Sequence, residues 1–327
     1  MFLNQFSRKL NVLTMNMNRL ISILFVLLFF TSPQLSSGQE KMSRSQLKEK
    51  TKSGKDDPWA DYKEEKDSVS RWACGINIGG YFPNKYSANY YNGTPGNINS
   101  VGYVMSNTYW YNDIKLALDA ADTVVVQGYP TNMHYQVAIT AGVFLRFNFS
   151  RKNGIFLEAN YTQLKAEDVV TMEVDPYNTY LTLPDIRQIP IAGREERAML
   201  DIGYQRSFLM KSKIYFFVNG SFKMCYTHVI KSVLVVEGRE YNLINIYGSQ
   251  GYVPNSNSQE FNMTQQSFGY GLSVGGGVGL PLTDIFCLEP GVNMQYYPVN
   301  LQGYPSYKPS FSIYLRILLG FSHRKVA

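Results

Sequence analysis

Long apolar runs are almost missing from this chain of 327 residues. Apart from one short segment near the N-terminus, no stretch approaches the roughly 18 consecutive apolar residues of a spanning helix, which excludes a helical membrane protein. Charge is scarce as well. Asp, Glu, Lys and Arg make up 17% of the residues, too few for the Lys/Glu exterior of a soluble protein of this size. The 3 cysteines, Cys74, Cys225 and Cys287, lie far apart and form no C-x-x-C, so neither a disulfide framework nor a redox motif is expected. They read as small apolar residues in strands.

What the chain does have is aromatic content, with 25 Tyr and 19 Phe against 3 Trp, a bias toward strands. The formal charge of +6 is less informative than it looks, because Arg8, Lys9 and Arg19 supply half of it and the first 38 residues hold no acid. No nucleic-acid partner is expected. Those basic residues frame the apolar segment Leu20–Phe30, LISILFVLLFF, and Ser36-Ser37-Gly38 follow it. This is the layout of a secretory signal with cleavage before Gln39. No Cys follows the apolar run, so a lipoprotein anchor is not expected. The organisation predicted is a signal peptide over 1–38, a polar linker of mixed charge over 39–70, and one strand-rich domain over 71–327.

Period-2 alternation decides the fold class. In FSIYLRILLGF, Phe311, Ile313, Leu315, Ile317, Leu319 and Phe321 share one face, and Ser312, Tyr314, Arg316, Leu318 and Gly320 share the other. The split recurs around Ile76 and Ile78, Tyr135 to Phe147, Ile155 to Tyr161, Leu200 to Phe208, Val218 to Tyr226, Phe268 to Leu280, and Phe286 to Tyr296. That gives eight strands, each with room for the roughly 9–11 residues a tilted strand needs to cross a bilayer. Tight turns at Ser150–Gly154, Lys211–Lys213 and Pro281–Asp284 alternate with long connections at Pro83–Met133, Thr171–Arg194 and Glu237–Gln266. The prediction is an all-β, eight-stranded antiparallel up-and-down transmembrane β-barrel. An even count puts linker and both chain ends on the short-turn, periplasmic side. Ten strands stay open if the first long loop holds a membrane hairpin. Within that loop a short helix is expected over Asp113–Ala121, with Thr123–Tyr129 extending the second strand.

The apolar faces are bulky and nearly unbroken, while the opposite faces carry Gly, Asn, Ser and Thr, so the apolar face is expected to point outward. The few charges on the polar face are placed to pair across neighbouring strands. A turn centred on Lys152 sets Arg146 opposite Glu158, a turn centred on Ser212 sets Asp201 opposite Lys223, and Glu289 approaches Arg316. These six are expected to be structural lumen pairs, because desolvated charges need partners.

On these features, from Trp72 to Ser322, the chain resembles the small outer-membrane barrels of the OmpA and OmpX type, through strand count, loop asymmetry, the Gly-rich sixth strand and the final FSIYLRILLGF. The resemblance implies an outer-membrane location, contact with outer-membrane lipid, and delivery by the barrel-assembly machinery, which reads a terminal aromatic; Phe321 takes that place, with six further residues after it. No peptidoglycan-binding domain of the OmpA type is expected. A barrel this narrow is filled by side chains and is not expected to be a pore. Some barrels of this architecture modify lipid A, which makes His134 and His228, near outer strand ends, candidate bases; His323 lies in the tail. The first long loop gathers Tyr86, Tyr90, Tyr91, Tyr103, Tyr109, Trp110 and Tyr111, which suit a glycan or protein ligand. The expected function is a non-enzymatic barrel without cofactor or metal, acting through its loops in adhesion or in an outer-membrane complex. The alternatives are a lipid A-modifying enzyme and a secretion-assembly subunit contacted through the linker.

Overall fold

The structure is a computed structural model that describes residues 72–150, 152–176, 185–209, 214–248, 251–256, 265–283, 286–304 and 307–319. The expected signal peptide, the linker, the Lys211–Lys213 turn, Phe321 and His323 lie outside the described residues.

Among the described residues, ten strands and three short helices run in the order β1 (Trp72–Phe82), α1 (Lys85–Ala88), a 3-10 turn (Asn89–Tyr91), α2 (Val101–Ser106), α3 (Thr108–Ala117), β2 (Ala120–Gly128), β3 (Ala138–Asn148), β4 (Asn153–Pro176), β5 (Asp185–Leu209), β6 (Tyr215–Val236), β7 (Arg239–Asn242), β8 (Gln266–Pro281), β9 (Phe286–Pro298) and β10 (Tyr307–Leu319). Neighbouring strands pair antiparallel in the ring β1-β3-β4-β5-β6-β8-β9-β10, and β10 returns to β1 from Cys74↔Leu319 to Phe82↔Phe311. The ring of eight is therefore closed and has no edge.

The outer face explains the closure. Ile76, Leu145, Leu157, Ile202, Phe222, Leu272, Val292 and Leu315, one from each ring strand, all point out and are exposed. An apolar belt around a whole molecule is not a surface for water. In lipid it is the expected one, and there every backbone group has to be paired within the protein, as a closed ladder does. The fold is an antiparallel up-and-down transmembrane barrel.

Three ring strands far outrun the bilayer. β4, β5 and β6 have 24, 25 and 22 residues. At about 3.4 Å per residue, β4 is roughly 80 Å long against about 30 Å of hydrocarbon. The expected long loop over Thr171–Arg194 is thus corrected: β4 and β5 stay paired out to Val174↔Asp185. Inward-facing Leu164, Ala166, Val170, Met172, Val174, Ile189 and Ile191 are buried there, so the extension is held by a core of its own.

β2 and β7 belong to this projecting part, here called the crown. β2 pairs with the upper end of β4 at Val124↔Val174 and Val126↔Met172, so Thr123–Tyr129 neither extends β3 nor forms a membrane hairpin. β7 folds back on the end of β6. Their turn, Glu237-Gly238, has φ of 45° and 78°, as the type I′ hairpin requires. The helix expected over Asp113–Ala121 starts earlier, because Asn107 Oδ1 caps α3 by accepting from the Tyr109 and Trp110 N–H groups at 3.1 Å each. The crown core gathers Tyr90, Tyr91, Val104, Trp110, Ile114, Leu234 and Leu243 from these pieces.

Candidate functional site in the barrel interior and its mouth

The interior is layered along the barrel. At the short-turn end, Phe144, Phe156, Tyr215, Phe217, Cys287 and Leu318 form a buried apolar floor. The Gly-rich sixth ring strand makes room for it: a Cβ at Gly277 would meet the Phe217 ring at 2.7 Å, and one at Gly279 would run into the Tyr215 ring.

Above the floor sits the main charge cluster. Glu289 accepts from Arg146 at 2.9 Å, from Arg316 at 2.9 Å and from the Tyr215 hydroxyl at 2.6 Å. Arg316 also donates to Glu158 at 2.7 Å and lies 3.6 Å from the Phe144 ring centroid, a close cation–π contact. Glu158 further accepts from Asn77 at 2.8 Å and Asn160 at 2.7 Å. On the adjacent strand Asp201 stands directly opposite Glu158; Lys223 meets it at 2.5 Å, and Ser221 and Ser273 donate to the same carboxylate at 2.8 and 3.1 Å.

The top layer closes the mouth. Arg197 donates to Glu195 through Nε at 2.7 Å and through Nη2 at 2.6 Å, and its Nη1 reaches the Tyr81 hydroxyl at 3.1 Å. Glu195 also accepts from Tyr91 at 2.5 Å and Tyr135 at 3.0 Å, so the first loop is tied onto the barrel rim. Burial first, and the Glu195 carboxylate second, hold the Tyr91 hydroxyl well above its usual range, so it stays a neutral donor. Tyr91 packs where Gly193 leaves space for its ring.

The buried interior charges among the described residues are Arg146, Arg197, Lys223 and Arg316 against Glu158, Glu195, Asp201 and Glu289, four of each sign. Such a balanced, bonded stack suits a filled lumen rather than a selective path. The cavity lined by Asn77, Thr140, Asn293, Gln295 and Tyr314 measures ≈ 10 Å³, about the space of one water.

Among the six charges singled out from sequence, Asp201 faces Lys223 and Glu289 faces Arg316 across adjacent strands. Arg146 does not face Glu158. It is opposite Phe156, while Glu158 is opposite Phe144. The β3–β4 hairpin closes tightly, with the Ser150 N–H donating to the Asn153 carbonyl at 3.2 Å, which shifts the ladder by two residues from the expected register. Arg146 and Glu158 each find a partner across the lumen instead, in Glu289 and Arg316. Sequence reasoning missed Glu195 and Arg197. The signal was present, since they continue the inward parity of Asp201 and Met199 back into the stretch between the expected loop, which ended at Arg194, and the strand expected from Leu200.

The histidines are not brought together with these groups. His134 is exposed, with Nδ1 3.3 Å from the Asn132 carbonyl oxygen. His228 lies on the outer face of β6, with Nδ1 3.0 Å from Glu196 Oε1, and the Tyr161 hydroxyl donates to the other Glu196 oxygen at 2.6 Å. The first-loop aromatics divide: Tyr90, Tyr91 and Trp110 are buried in the crown core, whereas Tyr86 and Tyr109 are exposed. Trp110 stacks on Tyr252 at 4.7 Å and meets Tyr241 and Tyr247 edge-on, so it is a packing residue.

Fold and interior together define a closed, side-chain-filled membrane barrel with a folded crown. Solved structures with this general likeness include Neisserial surface protein A, at 8% identity over 76% of this chain and 96% of that one with a TM-score of 0.34. They also include OprG from Pseudomonas aeruginosa, at 10% identity over 76% and 91% with a TM-score of 0.32. A third is Ail, the attachment invasion locus protein of Yersinia pestis, at 8% identity over 76% and 97% with a TM-score of 0.29. At these identities and scores the likeness carries no argument about activity. No protein-family description matches the chain, and no curated protein sequence matches it.

Proposed function

We propose that this protein is a non-enzymatic outer-membrane barrel that keeps its lumen shut and acts through the outer surface of its crown, in adhesive contact with a glycan or protein ligand or as a component of an outer-membrane complex. The observation that carries the reading is the division of the first loop. Its inner aromatics pack a core, and Tyr86 and Tyr109 are left exposed on a surface that core supports. Binding groups on rigid supports are the usual place for recognition, and amphipathic tyrosines suit sugar and protein surfaces. In this reading the crown faces the exterior, the short turns, linker and chain ends face the periplasm, and the barrel-assembly machinery delivers the chain.

The test has two arms. Purified protein in a planar bilayer is expected to give no stepwise conductance. Cells displaying Tyr86→Ala/Tyr109→Ala are expected to lose most of the surface or glycan-array binding seen with the parent protein at equal surface amounts. Steady conductance steps, or unchanged binding by the double variant, would count against the proposal.

A second reading, a lipid-modifying enzyme, is favoured by one observation: the His228–Glu196 pair is an imidazole oriented by a carboxylate beside the lipid belt. Lipid A profiles that are the same with parent protein, with His134→Ala/His228→Ala and with no protein at all would remove it.

A further inference from the structure

The outer wall of β4, β5 and β6 changes character within three rows just above the apolar belt. Leu157, Ile202 and Phe222 lie side by side in the belt, and Tyr161, Ala198 and Tyr226 form its upper edge. One row higher are Gln163, Glu196 and His228. The row above that is Lys165, Arg194 and Lys231, directly opposite one another across the three strands.

Three cations in register, about 4.8 Å apart from strand to strand, are unfavourable neighbours unless an anion joins them. Lys165 is bridged to Glu167 and Lys231 to Glu240, at 2.5 Å each, but all four side chains are 37–51% exposed, where ion pairs hold little and exchange easily. Arg194, in the middle, is exposed and makes no ion pair with a described residue. Glu196, the acid two residues along the same face, is engaged by His228 and Tyr161.

A groove opens at one end of this row. β3 pairs with β4 only as far as Thr140↔Thr162, and the register then slips by one residue to the isolated bridge Tyr135↔Ala166. The slip turns Tyr135 inward onto Glu195 and leaves Val137 and Ile139 outside, 66% and 77% exposed, level with Gln163 and Lys165. The open groove has a volume of ≈ 470 Å³, with Val137, Ile139 and Ala141 along β3 and Gln163 and Lys165 along β4. That is the size of a small-molecule site, roughly 300–1,000 Å³. A second irregularity in the β5–β6 ladder, between Arg194 and Glu195, places Ile230 as the extra residue beside the cation row. Bulges of this kind commonly re-aim side chains next to functional sites.

We infer that this wall is a binding site for one anionic membrane lipid. Its headgroup phosphate lies on Lys165, Arg194 and Lys231, and its acyl chain lies against Val137 and Ile139. The site is continuous with the lipid belt, which favours a lipid over a free anion, and its cation row complements a phosphate at headgroup height. The inference rests on the wall being embedded in lipid.

Native mass spectrometry of the full-length protein released from detergent, titrated with phosphatidylglycerol or with phosphatidylcholine, tests it. Wild type is expected to retain one phosphatidylglycerol at least ten-fold better than phosphatidylcholine. Lys165→Gln/Arg194→Gln/Lys231→Gln is expected to bring the two lipids level, and Arg194→Gln alone, which keeps both lysine bridges, to cut the preference several-fold. Ten millimolar inorganic phosphate is expected to leave the bound lipid in place. Equal retention of the two lipids by wild type, or an unchanged preference in Arg194→Gln, overturns the inference. Full displacement by inorganic phosphate overturns it too, by making this a free-anion site. Heat-shifted gel mobility is read on every sample: if wild type shows no shift and fails to enter lipid nanodiscs, the membrane reading itself is what has failed.

Discussion

The wall in lipid and the crown above it are built from the same three strands, yet their polarity is reversed. On β4 the outward residues are Ile155, Leu157 and Tyr161 in the wall, then Gln163, Lys165 and Glu167 in the crown. Its inward residues are Glu158, Asn160 and Thr162 in the wall, then Leu164, Ala166, Val170 and Met172 in the crown. β5 inverts in the same way, from Asp201 and Arg197 to Ile191 and Ile189. One backbone geometry serves both regions because pleat alternation sorts residues to two faces without saying which face is greasy. The surroundings choose: lipid outside the wall draws apolar residues outward, and water outside the crown drives them in. The changeover occurs at Tyr161–Gln163 outside and at Glu195–Arg197 inside, where the tyrosine cluster closes the mouth.

The largest expected effect breaks the inner half of the wall. Asp201→Leu leaves Lys223, which is fully buried, without its carboxylate. The loss is expected to be about 3–5 kcal/mol, measured by denaturant unfolding in lipid vesicles. Asp201→Leu/Lys223→Met is expected to recover most of it; a double variant as unstable as the single would show that the pair is not the reason.

The next effect compares the outer faces of the two regions. Leu272→Arg, in the belt, is expected to cost about 2–4 kcal/mol in the same assay. Val169→Arg, on the outer face of the crown, is expected to stay within about 0.5 kcal/mol. Similar costs for the two would end the contrast between lipid-facing and water-facing walls.

The smallest effect separates the crown from the barrel. Gly193→Val pushes a side chain into the Tyr91 ring, an overpacking expected to cost about 1–3 kcal/mol. It is expected to loosen the crown selectively: limited proteolysis of the 83–133 segment quickens while heat-shifted mobility of the barrel is retained. Loss of both together would show that crown and wall fold as one cooperative unit.

Much of this was legible along the chain. Each of the eight ring strands carries its faces in its own alternation. The Asp201–Lys223 and Arg316–Glu289 oppositions follow from neighbouring strands. The Arg146–Glu158 register was not legible, since two residues of difference in a turn preserve the face while changing the partner. The crown was read as loop because its strands carry buried apolar residues on the face that is polar lower down, so a single pattern could not be followed through the changeover.

Within the wall, the sequence by itself determined the eight ring strands, the outward apolar face and the polar inward one, because these follow from residue type at period 2. Only the tertiary structure decided who meets whom inside. Arg146 on β3 reaches Glu289 on β9, three strands away around the ring, and Arg316 reaches Glu158. Tyr91, which is 104 residues from Glu195 in the chain, seals the mouth. Those partners are set by closure of the ring and by the collapse of the first loop onto the crown core, and distances across a closed barrel are not written in the spacing of residues along any one strand.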